Sequence, residues 1–407
     1  MKKNLNTTRT AIKISLVAAI SLLLLIPLTM IKGVIDDRED TKDAVTEEVA
    51  NSYAKSQTIS APYLTSYVLK EITVDKKKQT YVEDYNTYCP QVDYTADVET
   101  DILHRSIYDV IVYNSKIQIS GKFPVTEKSA IARNIEFRFQ VTDIKGFNNP
   151  SQLTFGGKAF EICRKGGEFV AGVTLPKEVK VGETVDYTIS FGLKGTESLF
   201  FCPSPTGETS LAISSTYPHP SFQGSILPNT REITDDGFNA SWEVSSVNSS
   251  SHDNMGVKFV DPANPYQQSM RSAKYGILII ILVFVAGLFV EFLTKKEINP
   301  IQYAVIGLSL VLFYSLLLAF SEFMTFGVAY LIATAMTTIA LTLYFKAILK
   351  SRSAYTLGGF VALVYALNHI LLQLDTYALL AGSLVLFLLL CVVMYLTANT
   401  NTKTEQQ

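Results

Sequence analysis

Tyr275-Gly-Ile-Leu-Ile-Ile-Ile-Leu-Val-Phe-Val-Ala-Gly-Leu-Phe-Val-Glu-Phe-Leu293 carries a single charge, Glu291, close to its end. At 1.5 Å per helical residue this run reaches about 28 Å, close to the roughly 30 Å of hydrocarbon in a bilayer. Runs of the same kind occupy residues 14–31, 301–320, 323–345, 355–372 and 377–397. Outside residues 1–13, 32–274, 291–297 and 346–352 the chain carries only Glu322, Asp375, Lys403 and Glu405 as charges. The reading is membrane helices rather than the buried helices of a soluble bundle. Most of the runs are packed into 275–397, and the few charges there cluster at run ends. Asn299-Pro300 supplies a capping side chain and a fixed φ for the third span. Ser321 and Asp375 are the expected caps of the fourth and sixth.

The composition agrees. Of 407 residues 18% are charged and 48% hydrophobic, against about 25% charged in an ordinary soluble domain. This excludes a purely soluble protein, a disordered chain and a nucleic-acid binder with a broad basic surface. Net charge is −2, but residues 36–273 hold 23 Lys+Arg against 32 Asp+Glu, so the remainder is net positive. An acidic soluble block is set inside a basic membrane part, whose partner is the lipid bilayer.

The basic head Lys2, Lys3, Arg9 and Lys13 precedes the first apolar run, and no small-x-small cleavage site follows it. Residues 14–34 therefore read as an uncleaved signal anchor. With the N-terminus in the cytoplasm, the inner segments carry Lys2, Lys3, Arg9, Lys13, Lys295, Lys296, Lys346, Lys350, Arg352 and Lys403, and the two short outer loops carry no basic residue. The positive-inside rule then puts both termini in the cytoplasm and residues 36–273 in the periplasm.

The organisation expected is a cytoplasmic segment 1–13, the anchor 14–34 and a helical stalk 35–57 on which Ala44, Val45, Val49 and Tyr53 recur at helical spacing. A β-rich domain 58–270, a five-helix bundle 271–397 and a tail 398–407 follow. The period changes to two after the stalk: Ile135, Phe137, Phe139 and Val141 alternate with polar residues, as do Val185, Tyr187, Ile189 and Phe191, and Phe238, Ala240, Trp242 and Val244. These are half-buried strands. The fold class is a multi-pass α-helical membrane protein with a large, mainly-β, sandwich-like periplasmic domain between its first and second transmembrane helices.

Catalytic signatures are absent from the sequence: it has no Walker loop, no G-x-S-x-G, no H-E-x-x-H and no C-x-x-C. His104, His219, His252 and His369 are scattered singly, which suits hydrogen-bonded structural residues. No cofactor or metal is expected. Cys89, Cys163 and Cys202 allow one internal disulfide, in any of three pairings, or none. Cys391 reads as apolar filler. Among the intramembrane polar residues Glu322 and His369 are the candidates for function, because an ionisable group in a bilayer is costly. Glu291 lies beside Lys295 and Lys296. Ala329-x-x-x-Ala333 and Gly358-Gly359 with Ala362 offer small faces for helix packing. The segment Tyr217-Pro-His-Pro-Ser-Phe-Gln-Gly-Ser-Ile-Leu-Pro228 is rich in proline, which removes donors and fixes φ. It reads as a rigid loop presenting Tyr217, His219 and Phe222 to a partner, against the plainer reading that Phe222 and Leu227 plug one end of the sandwich.

Several long strings resemble a known family. Leu22-Leu-Leu-Leu-Ile-Pro-Leu-Thr-Met-Ile-Lys-Gly-Val-Ile-Asp-Asp-Arg38, His104-Arg-Ser-Ile-Tyr-Asp-Val-Ile-Val-Tyr113, the Tyr217–Pro228 segment and Asp235-Asp-Gly-Phe-Asn-Ala-Ser-Trp242 are similar to the CreD family of cell-envelope integrity, inner-membrane proteins. So are Gly256-Val-Lys-Phe-Val-Asp-Pro262, Asn299-Pro-Ile-Gln-Tyr-Ala-Val-Ile-Gly-Leu308, Ala329-Tyr-Leu-Ile-Ala333 and Tyr377-Ala-Leu-Leu-Ala-Gly-Ser383. The resemblance implies a Gram-negative inner-membrane protein with a periplasmic domain, tied to envelope integrity and stress response. It brings no reaction and no catalytic residues. The expected function is non-enzymatic envelope maintenance, with the periplasmic domain binding an envelope component or protein. The alternative is a transporter or channel for a small envelope-related solute that uses the helix bundle. A hydrolase acting on an envelope polymer is disfavoured by the missing motifs.

Overall fold

The computed structural model describes residues 2–373 apart from 75, 76, 149–151, 251, 263 and 295, together with Ser383, Phe387, Cys391 and Met394. The sixth expected span, 377–397, lies outside the described residues save for those four, and so does Asp375. The helices are α1 (Lys2–Leu23), α2 (Leu25–Ser52), the single-turn α3 (Glu127–Ala130), α4 (Pro265–Lys274), α5 (Gly276–Thr294), α6 (Pro300–Ser321), α7 (Phe326–Leu349) and α8 (Ser353–Gln373). Among the described residues five stretches are long and apolar enough to cross a membrane: Ile12–Ser52, Gly276–Thr294, Pro300–Ser321, Phe326–Leu349 and Ser353–Gln373. The chain divides into two compact units, one of residues 1–41 with 263–407 and the other of residues 42–262.

In the helical unit each end follows from local chemistry. The break between α1 and α2 falls at Leu24, three residues before Pro27. Proline has no N–H for the Leu23 carbonyl, and its ring crowds that carbonyl. Asn299 caps α6, accepting from the Ile301 N–H at 3.2 Å, and the Gln302 side chain answers on the Asn299 N–H at 2.8 Å. Asn264-Pro265 starts α4 in the same way, a signature that the sequence reading passed over. Ser321 does not cap the fourth span. It is the last residue of α6, its hydroxyl donates to the Leu318 carbonyl at 2.9 Å, and Thr325 takes the N-cap position of α7. Small residues set the packing: Ala329 and Ala333 are fully buried, and a Cβ on Gly358 would lie 2.1 Å from the Thr342 hydroxyl.

Among the described residues the β domain holds three sheets. The largest has nine strands, in the order Thr230–Thr234, Gly237–Ser245, Glu208–Ser215, Gln91–Arg105, Tyr108–Pro124, Thr184–Thr196, Leu153–Phe155 and Lys158–Phe160, with Phe147–Asn148 beside Thr184–Thr196. Five strands form the second: Cys163–Lys165, Glu168–Val173, Asn134–Phe139, Tyr63–Val74 and Lys77–Tyr88. The third has four: Gln57–Ile59, Ser198–Phe201, Met255–Phe259 and Pro220–Gly224. Pairing is antiparallel except where Glu208–Ser215 meets Gln91–Arg105 and Gln57–Ile59 meets Ser198–Phe201.

One continuous apolar core joins the sheets. Val92, Tyr94, Ala96 and Val98 enter it from one strand, Ile117, Ile119 and Phe123 from the next, and Phe137, Phe139, Tyr187 and Trp242 from elsewhere. The period-two alternation read from the sequence is therefore inward and outward pleat. The C-terminal part of α2 is tied to the domain by Arg105 on Glu48 at 2.5 Å and Lys145 on the Asn51 carbonyl at 2.9 Å. Gln57, fully buried, spends its whole amide on the neighbouring backbone: it donates to the Asp143 and Lys194 carbonyls and accepts from the Asp143 N–H.

Candidate functional site

The proline-rich segment is only partly the loop expected of it. Pro220–Gly224 is a strand at the outer edge of the four-stranded sheet, paired with Met255–Phe259. An edge tolerates proline because one side of the strand needs no ladder donor. Two of its three aromatic candidates turn toward the core. Tyr217 donates its hydroxyl to the Val260 carbonyl at 2.8 Å and sets its ring edge-on to Phe259 at 5.7 Å. Burial, and then the charge of Asp261, raises its phenol above the ordinary value. Phe222 meets Phe238 at 5.6 Å and Trp242 at 5.9 Å, both edge-on, and the Trp242 indole donates to the Ile226 carbonyl. His219 remains exposed, and so does Leu227. Phe222 thus packs as the plainer reading had it, while Leu227 does not.

The open surface lies elsewhere, on the outward face of the nine-stranded sheet. The pleat that sends Ala96, Ile117, Ile213 and Ala240 toward the core turns Thr95, Asp97, Lys116, Gln118, Ser214 and Asn239 outward. They line a shallow cavity of about 580 Å³ together with Ser190, Ala212, Arg231 and Ser241. Few of its groups are used up: Ser214 reaches Asp97 at 3.3 Å, and Thr230 and Ser241 share a hydrogen bond at 2.6 Å. The sequence signal was present as polar residues at every second position, in Thr95 and Asp97, Lys116 and Gln118, and Asn239 and Ser241. Taken strand by strand it reads as an ordinary wet face, and the groove appears only when the register joins six strands.

A second polar cluster, on the five-stranded sheet, is closed on itself. Arg138 bonds Glu136 at 2.5 Å, Glu168 at 2.7 Å and the Tyr67 hydroxyl at 2.7 Å. Tyr63 donates to Glu168 at 2.6 Å, and Lys165 holds Glu136 at 3.1 Å. Burial and the Glu168 carboxylate push the Tyr63 phenol up to about 12. Every charge here has a partner, as befits a network that holds strands together.

In the helical unit Glu322 follows α6 and pairs with Arg38 at 3.5 Å. His369 lies one turn before the end of α8. Its ring lies tilted against Tyr330 at 4.6 Å, its Nε2 meets Gln373 at 3.2 Å, and its Nδ1 is buried without a hydrogen-bond partner. The neighbouring Asn368 matters more to the packing. Its amide donates to Ser272 at 3.2 Å and to the Tyr330 hydroxyl at 3.0 Å, and Tyr330 donates to the Tyr365 carbonyl at 2.8 Å. Lys295 lies outside the described residues, and Lys296 turns not to Glu291 but to the Leu349 and Lys350 carbonyls. Lys13 of α1 reaches Glu291 at 2.6 Å, Tyr303 donates to it at 3.4 Å, and the Ile298 N–H also donates to it. No group of three or more His, Cys, Asp or Glu side chains is placed to hold a metal among the described residues, and the four cysteines are free thiols.

Apolar helices flanking a large β domain define the class, a multi-pass membrane protein. A family model described as "Inner membrane protein CreD" matches residues 9–403, and the chain belongs to that family of inner-membrane proteins. It is 31% identical, over 328 residues, to the Inner membrane protein CreD of Escherichia coli (strain K12), covering 73% of this chain and 72% of that one. Solved structures share less. A mutant M1 zinc metallopeptidase of Deinococcus radiodurans aligns with TM-score 0.23 and 9% identity over 42% of each chain. The unmutated enzyme of the same organism aligns with TM-score 0.22 and 8% identity, covering 42% of this chain and 41% of that one. The chain thus spans less than half the length of these enzymes.

Proposed function

We propose that this CreD-family protein maintains the cell envelope by binding, not by catalysis, and that its β domain engages an envelope component on the outward face of the nine-stranded sheet. The observation that carries this reading is the groove of Thr95, Asp97, Lys116, Gln118, Ser214 and Asn239. It is open, with polar side chains standing over a largely apolar floor, and few of their donors and acceptors are used within the chain. Such a surface suits a polar, extended partner with both amino and acidic groups, because Lys116 and Arg231 sit in it with Asp97 and Glu232. Loops and faces on a rigid β scaffold commonly carry recognition. His219 stays a candidate contact at the edge of the neighbouring sheet. In this reading both termini are cytoplasmic and the β domain is periplasmic, supported by the ten basic residues of the proposed inner segments.

The test fills the groove without touching the core. Ala212 is exposed on its floor, and Ala212→Trp places an indole there. In cells lacking the native gene, Ala212→Trp is expected to lose envelope tolerance while the protein stays folded and abundant. Full tolerance with the groove filled would overturn the reading.

A second reading, a transporter or channel built on the helix bundle, draws on the polar atoms of Asn368 (Oδ1) and His369 (Nδ1), which are buried without hydrogen-bond partners. It predicts that His369→Gln abolishes function. The binding reading predicts that His369→Gln is nearly silent.

A further inference from the structure

Strand Lys77–Tyr88 is last in its sheet, bonded along one side to Tyr63–Val74. On its other side no backbone hydrogen bond is made along Lys77–Tyr88 among the described residues. Twelve residues make this a long free edge. Natural sheets normally cover, shorten or break such an edge, because its unpaired N–H and C=O groups template another strand. The hairpin also bares apolar side chains on both faces: Leu69 (46% exposed) lies opposite Val82 (56%) on one face, and Ile72 and Tyr81 are exposed on the other.

The charges along the edge are ordered. Its first residues are Lys77 and Lys78, and Glu83 and Asp84 come later. Lysines alone would guard an edge. Lysines at one end and acids at the other make it complementary to its own reversed copy. We propose that this strand pairs antiparallel with the same strand of a second copy of the chain, on a two-fold axis through Tyr81.

The register follows from geometry. A two-fold axis perpendicular to the sheet keeps each face on its own side, so the axis must pass through a residue. An axis between residues would pair side chains from opposite faces. On Val82 it opposes no unlike charges. On Thr80 it opposes Lys77 with Glu83, but Glu83 is already held by Lys70 and by the Tyr85 hydroxyl. On Tyr81 it opposes Lys78 with Asp84, twice over: Asp84 has no ion-pair partner among the described residues, and Lys78 is held only by an exposed pair with Glu71 at 3.2 Å, a contact worth little that it can exchange for Asp84. This register also sets Val82 opposite Thr80 beside the exposed Leu69, so the apolar patch continues across the junction. Strand addition of this kind draws affinity from main-chain bonds and specificity from alternate side chains.

The test uses the full chain in its own membrane, with Cys163 and Cys391 replaced by Ser. Residues directly opposed in an antiparallel pair have Cα atoms about 4.5–5.5 Å apart, within the span of a disulfide. Under mild oxidation Tyr81→Cys is expected to give a covalent dimer at least ten-fold above the exposed control Ile131→Cys. Lys78→Glu alone should lower that yield several-fold, and Lys78→Glu with Asp84→Lys should restore it. Fluorescence of the single tryptophan, Trp242, checks that the domain stays folded. A Tyr81→Cys chain that remains monomeric, or that is captured by a different protein, would overturn the proposal. So would loss of the dimer in the doubly reversed variant.

Discussion

Replacing Arg138 by Leu removes the hub of the network on the five-stranded sheet, and the structure sets the size of the effect. The guanidinium, 16% exposed, bonds Glu136 (12%) and Glu168 (17%). Taking away one partner of a buried ion pair costs about 3–5 kcal/mol, because the other charge is left uncompensated. Here Lys165 still reaches Glu136 and Tyr63 still reaches Glu168, so about 3 kcal/mol is expected. For a unit of this size that lowers the melting temperature by about 6–12 °C. Tyr67→Phe, which loses the bond the hydroxyl donates to Glu136 and the one it accepts from Arg138, should cost about 1–3 kcal/mol. The effect also has a pH signature. Burial alone would raise the Glu136 carboxyl, but hydrogen bonds from Arg138, Lys165 and Tyr67 outweigh it and hold the group below its ordinary value. A depressed carboxylate pKa contributes stability above the unfolded value, about 4.3, and that stability is lost as pH falls through the folded value. The gap between wild type and Arg138→Leu should therefore be full at pH 7 and narrow below about pH 4. Trp242 fluorescence during heating of the detergent-solubilised protein follows it directly. A shift under about 2 °C at pH 7, or a gap that stays constant into acid, would refute the reasoning.

Other outcomes follow from close contacts. Gly121→Ala should destabilise the β domain by several times the cost of an ordinary surface change, because its Cβ would lie 2.2 Å from the Gln91 carbonyl, and thermal melting reads it. Ser106 turns the hairpin between Gln91–Arg105 and Tyr108–Pro124 at φ 59°, so Ser106→Gly should raise stability by about 0.5–1 kcal/mol in the same assay. Lys13→Met should lower the detergent melting point of the helical unit by stranding Glu291, and adding Glu291→Met should recover most of the loss, as replacement of both charges commonly does.

The sequence made the helices plain because a membrane run leaves a one-dimensional mark: length without charge. It also marked the strands at Ile135, Val185 and Phe238, where alternation is strict, and each lies in a strand of the structure. Tyr217 and Phe222 show where reading stopped. Their proline-rich setting argued for a loop, yet an edge strand accepts proline, and which strand lies at an edge is decided by pairings far along the chain. Lys13 and Glu291 are 278 residues apart, so Glu291 was naturally read with its neighbours Lys295 and Lys296. The groove on the nine-stranded sheet is likewise a product of register: Asp97, Lys116, Ser214 and Asn239 come from four strands that local pattern cannot order.

The central claim is that the β domain works by holding a partner on that face. A photoreactive residue at Gln118, in the full chain and in growing cells, tests it most directly when compared with the same residue at the exposed Ile131. Capture of one defined envelope component from Gln118, absent from Ile131 and lost when Ala212→Trp fills the groove, is the result predicted. Equal, unspecific labelling from both positions, in cells where the protein is otherwise protecting the envelope, would contradict it.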